Sequence, residues 1–540
     1  MLASIQSASF VNAQAPDSLF MSTCDRGSAS SVLDVGNVSA ALNNSGLLFY
    51  PAKNGHGYEV PKGSGIGGMS YMSFNMAGYV GSSLRSSGTR INPSDVWPGP
   101  LDGLGIAPKD CAPYDKIWKV NASNDVTSLW NEDNPSAATL AWPGDIGAPF
   151  FDANGDGKYQ PLDGDVPKVF GDEMHWWIQN DRGNEHKMFK SLPLGIERRV
   201  SAFAFDRAGV LENITFYRYE IKNRNRKRIE KAFVSVFLDV ELGNFYDNYA
   251  GTDTTLGMVY FYNADNNDEM KRGYGQAPPA LGMIMLETPK AQMDSSAGEC
   301  DHSPENVPLY STVNPGGGRY WDGAFDTPSL YHYMHGRWGD GSAVTYGGRG
   351  IQTGKPTRFF YPGDPVTGEY WSEINGDGNG NPLPPSWREM YANYGPFCLN
   401  PEETATFTFA LIWSRGQSNL DSITKLRQDA AFVLGIRDII LTPVNEAPDP
   451  IPLEYQLEVG VYPNPSNENV TVFYELADRA KVEIDIFDML GRKKHSEMRV
   501  HEEAGRTEIV LRTASWPSGA YYLRYRIGSL TESKMFVVAH

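Results

Sequence analysis

Two rhythms of hydrophobic and polar positions run along the chain, and they meet at a proline-rich seam. Before the seam, Asp421 to Ile436 places Ile423, Leu426, Ala430, Val433 and Leu434 at helical spacing. This predicts a helix, with Asp421 or Ser422 as its cap. The seam itself, Thr442 to Pro452, has four prolines in eleven residues and predicts an extended, semi-rigid linker over 442–455. Beyond it the pattern changes to strict alternation. Val470 to Tyr474, Lys481 to Phe487, Thr507 to Leu511, Tyr521 to Ile527 and Lys534 to Val538 are short alternating runs separated by Gly, Pro, Asn and Ser. In the second run Val482, Ile484 and Ile486 share one face and charges take the other. Residues 456–540 therefore predict a β-sandwich of roughly immunoglobulin size.

The body before the seam reads differently. Glu197 to Phe205, Thr215 to Ile221, Ala232 to Leu238, Met258 to Tyr262 and Thr404 to Trp413 are apolar, aromatic and β-branched, and turn-rich stretches separate them. Over 16–441 this predicts a large, mainly all-β body, sandwich-like with long loops and made of one or two units. Residues 1–15 stand apart. Met1 to Val11 is mildly apolar, Asn12 to Ala15 ends in an A-x-A-like site, and no Lys or Arg precedes it. The segment reads as a signal remnant or as a plain flexible arm.

The tail carries more than a rhythm. Val461-Tyr462-Pro463-Asn464-Pro465-Ser466, Ile486-Phe487-Asp488-Met489-Leu490-Gly491-Arg492, Ala504-Gly505, Ser518-Gly519-Ala520-Tyr521-Tyr522 and Lys534-Met535-Phe536-Val537-Val538 follow one another in order. Together they resemble the type A C-terminal sorting domain of type IX secretion cargo. The resemblance implies recognition by the type IX secretion machinery and export across the outer membrane of Bacteroidota-like bacteria. It also implies an extracellular or outer-membrane-surface location. It marks Pro463, Asn464, Pro465, Gly491, Gly505, Gly519, Tyr521 and Lys534 as sorting-motif positions. One departure is the ending Ala539-His540, where the family more often closes on a basic residue. Segments of the body, among them Glu59 to Gly63, Trp97 to Asp102 and Tyr361 to Pro365, resemble stretches common in large type IX cargo, which implies location and not activity.

Charge narrows the partners. The net charge is −18, with 47 Lys+Arg against 65 Asp+Glu. The segment Gln456 to His540 balances to −1, which leaves −17 on the rest. So acidic a body argues against nucleic acid and anionic lipid, and suits cations, surface glycans or other surface proteins. No run of about eighteen apolar residues predicts a transmembrane helix. Cys24, Cys111, Cys300 and Cys398 lie far apart. They fit up to two disulfides in an oxidising compartment or four free thiols.

The sharpest local chemistry is Asp152-Ala153-Asn154-Gly155-Asp156-Gly157-Lys158-Tyr159-Gln160-Pro161-Leu162-Asp163. Asp152, Asn154 and Asp156 occupy loop positions 1, 3 and 5, Gly157 position 6, and Asp163 position 12. The Lys158 carbonyl can add an oxygen. Hard oxygen donors in this spacing predict calcium, held in a helix-free loop because prolines and Gly164 flank it. A second acidic set, Asp239, Glu241, Asp247 and Asp253, is a further candidate for calcium; Asp239 and Glu241 end a strand on one face. Asn375 to Gly380 repeats the alternation but reads as a turn. His332 and His335 read as aromatic loop packing rather than a metal pair. Trp176, Trp177, Trp371 and Tyr370 are core residues or a platform for sugar rings.

No HExxH, GxSxG, phosphate-binding glycine loop or Cys-His arrangement with recognisable context occurs, so no catalytic residue is assigned and the reading leans away from an enzyme. Two functions follow. One is a calcium-stabilised structural or adhesive β module on the surface or released. The other is a secreted glycan-binding or glycan-degrading protein whose mark would be an aromatic-lined site with two nearby carboxylates.

Overall fold

In a computed structural model of the chain, the described residues are 22–50, 57–90, 95–127, 135–270, 272–292, 302–317, 324–351, 353–444, 459–476, 480–488, 492–501, 505–527 and 530–540. The N-terminal fifteen residues and most of the proline-rich seam lie outside them.

The body is built on two antiparallel sheets. The larger runs in the order Asn248–Asp253, Met258–Asn263, Ala280–Glu287, Thr404–Ser414, Ile214–Asn223, Ile196–Ala204, Glu173–Asn180 and Trp97–Pro98, with Trp118–Asn121 also paired to Glu173–Asn180. The smaller runs Leu309–Val313, Arg388–Leu399, Ile229–Val240, Tyr71–Val80 and Leu47–Leu48, with Ser83–Ser87 beside Tyr71–Val80. Between them lies the main core: Phe74 stacks on Tyr219 at 4.2 Å between ring centroids, and Phe407 packs edge-on to Phe74 and Phe397.

The larger sheet is buried on both faces. Tyr217, Tyr219 and Ile221 point into the core between the sheets, whereas Ile214 and Phe216 belong to a second core on the far side. That second core is closed by the helix Asn419–Gly435 and by the segment holding Trp142, Val166, Val169 and Phe170. Burial on both faces removes the polar alternation, which is why these strands read as near-continuous apolar runs. The helix forms as its spacing predicts, with Ile423, Leu426, Ala430 and Val433 on the buried side. Its cap, however, is Ser418, whose Oγ accepts from Asp421 N at 3.1 Å, three residues before the expected boundary. Past this helix Val444 still donates to Val169 O at 2.8 Å, so the chain stays on the body at least that far.

A disulfide joins Cys24 to Cys111 beneath Trp97, and Cys398 is disulfide-bonded as well. Cys300 lies outside the described residues. The oxidised alternative of the thiol reading therefore holds for the described cysteines.

The tail is a seven-stranded sandwich. Three strands, Gly460–Tyr462, Asn469–Leu476 and Gly505–Arg512, face four, in the order Lys493–His501, Ala480–Asp488, Gly519–Ile527 and Leu530–Val538. Val470, Val472, Ile484, Ile486, Ile509, Leu523 and Phe536 fill the space between them. The all-β architecture expected for both parts is what the chain adopts.

Candidate functional site

The acidic loop after Phe151 is drawn inward onto its own backbone. Asp152 Oδ1 accepts from Gly155 N at 2.7 Å, and its Oδ2 accepts from Gly157 N at 2.7 Å. Asn154 Oδ1 accepts from Asp156 N, and Asp156 Oδ1 accepts from Lys158 N, each at 2.9 Å. Gly155 and Gly157 take φ of +75° and +77°, a region closed to most side chains at low cost, which bends the loop around Asp152. Asp163 does not close this ring. It stands exposed in the short turn Pro161–Asp163, and Gly164, at φ +103°, redirects the chain behind it. The fully buried Asp165 closes the loop instead, accepting from Ala153 N at 2.9 Å and Gln160 N at 2.7 Å. An acid two positions past the expected one was readable only as a spacing variant. Among the described residues no three His, Cys, Asp or Glu side chains gather as a ready-made metal centre. A cation here would depend on Asn154 and carbonyl oxygens as well as carboxylates.

The second acidic set is dispersed over three environments, because the chain leaves the smaller sheet after Val240 and joins the edge of the larger one at Asn248. Asn248 fixes that crossing by bonding both the amide and the carbonyl of Leu242. Asp247 faces Asn244 and Asp268, and burial together with the Asp268 charge pushes its carboxyl up to about 6. Asp253 is held by Arg427 at 3.0 Å and caps the turn at Thr255 and Leu256. Only Glu241 stays close enough for its charge to act on Asp239.

Asp239 has a different partner. In register with it on the neighbouring strands stand Glu389 on one side and Tyr71 on the other. Trp387 Nε1 donates to Asp239 Oδ1 at 2.5 Å, the Tyr71 hydroxyl also bonds Asp239, and Arg90 Nη2 lies 3.3 Å from Glu389 Oε2. Burial, then the charge of Glu389, pushes the Asp239 carboxyl up to about 7, and burial raises Glu389 despite Arg90. The sequence hid this pair, because 150 residues separate two acids that only strand register brings together.

Other candidates resolve as structure. His332 Nδ1 bonds Gly339 O and His335 Nδ1 bonds Tyr331 O, with His335 packed on Phe233 and Tyr331. Asp377 closes its turn on Asn379 and Asn381. Trp176, Trp177 and Trp371 are fully buried, so they are core and offer no platform to a sugar.

In the tail the motif residues around Asn464, Asp488, Gly519 and Val537 lie toward one end of the sandwich, whereas Gly505 pairs with Leu476 at the other. Asn464 Oδ1, between Pro463 and Pro465, accepts from Val537 N at 2.9 Å. Ser466 N donates to Val537 O and Ala539 N donates to Ser466 O, each at 2.8 Å. Lys534 Nζ donates to Val459 O, and the buried Tyr521 donates through Oη to Pro517 O at 2.8 Å. Gly505 and Gly519 open their strands, and Asp488 folds back on the Arg492 amide and guanidinium. Gly491 lies outside the described residues. The first and last motifs thus form one clasp around the final strand.

Residues 460–539 match the family model of the secretion system C-terminal sorting domain. No curated protein matches the chain. No helix among the described residues is long and apolar enough to cross a membrane. The chain therefore ends in a type IX sorting domain and is exported from the cell as cargo of that secretion system.

Proposed function

We propose that the exported body is a calcium-stabilised structural or adhesive module, displayed on the cell surface or released. The observation that carries this reading is the Asp152–Lys158 loop, where two left-handed glycines wrap the backbone around Asp152 and leave Asn154 and Asp156 alternating on an exposed turn. The carboxylates of Asp152 and Asp156 and the amide oxygen of Asn154 are hard donors of the kind calcium takes. The loop is set on the short pairing of Phe150–Phe151 with Val166–Pro167, beside Trp142 and Phe170 of the second core. Calcium bound there would fasten this covering segment to the larger sheet.

The test is thermal unfolding of the full chain in EDTA and in calcium, with elemental analysis of the purified protein. Calcium at 100 times its dissociation constant is expected to add about 2.7 kcal/mol per site. Asp156→Ala is expected to remove that gain. Unfolding indifferent to EDTA, in a protein that contains no calcium, overturns the reading.

A further inference from the structure

One lobe of the acidic body is basic. Residues 336–359 hold Arg337, Arg349, Lys355 and Arg358 against a single acid, Asp340, in a chain whose net charge is −18. All four cations are exposed. Arg337 donates to Gly341 O, Lys355 lies over the ring of Tyr346 and Arg358 over that of Tyr310; among the described residues no carboxylate holds any of the four. Asp340 turns back on the Ser342 amide. The hairpin tip around Arg224 is also rich in cations, but there Lys222 and Arg224 share Glu402, Arg224 also reaches Glu197, and Arg228 pairs with Glu230.

Two of these cations border a connected set of rings. Gly336 lies so close to Arg358 that a Cβ on it would stand 3.0 Å from Arg358 Cα, which makes Arg337 and Arg358 neighbours on two segments. The Arg358 guanidinium sits 4.4 Å from the ring of Tyr310, Tyr310 lies 6.0 Å from His335, and His335 lies 4.4 Å from Tyr331. These three rings are partly exposed, and the buried Phe233 packs against all of them. One buried ring touching three half-exposed ones places those three on a single surface. Arg337 borders the same surface. Burial first, and then the charges of Arg337 and His332, holds the His335 imidazole below its ordinary range despite its bond to Tyr331 O. The positive charge of this ledge therefore comes from its arginines.

We propose that this ledge binds an acidic polysaccharide, with its carboxylate or sulfate groups on Arg337 and Arg358 and its sugar faces on Tyr310 and Tyr331. Guanidinium forks match such oxyanions, and half-exposed rings pack on the C–H faces of sugars. The stacking of Arg358 on Tyr310 sets that cation in place before a ligand arrives. Such a polymer also suits the rest of the body. Its charges stand a sugar apart, more sparsely than the phosphates of a duplex, and beyond about 8 Å at physiological salt the body's own carboxylates are largely screened. The site rests on the adhesive half of the reading above and needs no calcium.

Biolayer interferometry of the full chain over immobilised polygalacturonate, alginate, chondroitin sulfate and neutral dextran tests it. The wild type is expected to bind at least one of the charged polymers and not dextran. Arg337→Gln and Arg358→Gln change exposed side chains, and each is expected to raise the dissociation constant about tenfold. Lys227→Gln, an exposed cation of the other basic hairpin, is expected to change nothing. Binding that neither arginine variant weakens, or that Lys227→Gln weakens as much, overturns the site and leaves the adhesive reading in place. A wild type that binds no charged polymer overturns the proposal outright. Self-association that Arg358→Gln abolishes, with no polymer bound, overturns it in favour of a second copy of the chain. Every one of these outcomes leaves the EDTA result untouched, because the Asp152 loop takes no part in the site.

Discussion

The substitution Asp239→Asn is the sharpest probe of the buried acid pair. The Asp239 carboxyl sits at about 7 in the folded chain, against an ordinary value of 3.8, because it is buried and faces Glu389. Between these two pH values the native state keeps a proton that the unfolded chain has released. Native stability must therefore fall as pH rises from about 4 to about 7, then level off. At about 1.4 kcal/mol per pH unit, the loss by pH 8 is about 4 kcal/mol at most. The asparagine would stay neutral throughout and keep an oxygen for the Trp387 indole. The variant is expected to match the wild type within about 1 kcal/mol at pH 4 and to exceed it by about 2 to 4 kcal/mol at pH 8. Urea unfolding at pH 4, 6 and 8, followed by tryptophan fluorescence, measures this in the body, since Trp516 alone of the 12 tryptophans lies in the tail. A stability difference between variant and wild type that does not change from pH 4 to pH 8 refutes the reasoning.

Two further outcomes follow from covalent and hydrogen-bonded closures. Cys111→Ser opens a loop of 87 residues and is expected to cost the body about 4 to 5 kcal/mol, read as a lowered urea midpoint. Asn464→Ala frees the Val537 amide and is expected to cost the final strand about 1 kcal/mol. Hydrogen exchange at Val537 should speed up severalfold while the body's strands stay unchanged; equal exchange in both proteins would mean that the clasp does not hold that strand.

Elements were legible wherever one physical demand dominated. Ala480–Asp488 alternates because one face meets the tail's core and the other meets water; Ile214–Asn223 is apolar because both its faces are buried. The tail strand Lys493–His501 escaped because polar residues occupy both its faces, with His501 turned inward to Tyr474 at 2.7 Å. Such charged edges discourage pairing with another chain and leave no hydrophobic rhythm to read. Glu173–Asn180 escaped for a related reason: Glu173, His175, Gln179 and Asn180 are polar yet buried, satisfied by partners distant in sequence such as Lys119 and the Asn44 carbonyl. The metal-like loop was legible as spacing, but its closure by Asp165 was not, since that depends on the turn at Gly164. The carboxylate pair was illegible for a deeper reason, because nothing near Asp239 or Glu389 announces the other.

The place of Thr404–Ser414 in the larger sheet governs the order in which the body can be assembled. It is the last strand of the body in sequence, yet it lies between Ile214–Asn223 and Ala280–Glu287, pairing with both through Phe409 and Leu411. A chain emerging N-terminus first therefore holds two half-sheets, each with a raw inner edge, until nearly everything before the tail has arrived. The keystone enters last and joins contacts made by residues up to two hundred positions apart. Folding with such distant closures is slow, and open edges invite pairing between copies. Truncation ahead of residue 404 should yield a sticky, half-assembled species and not a smaller working domain.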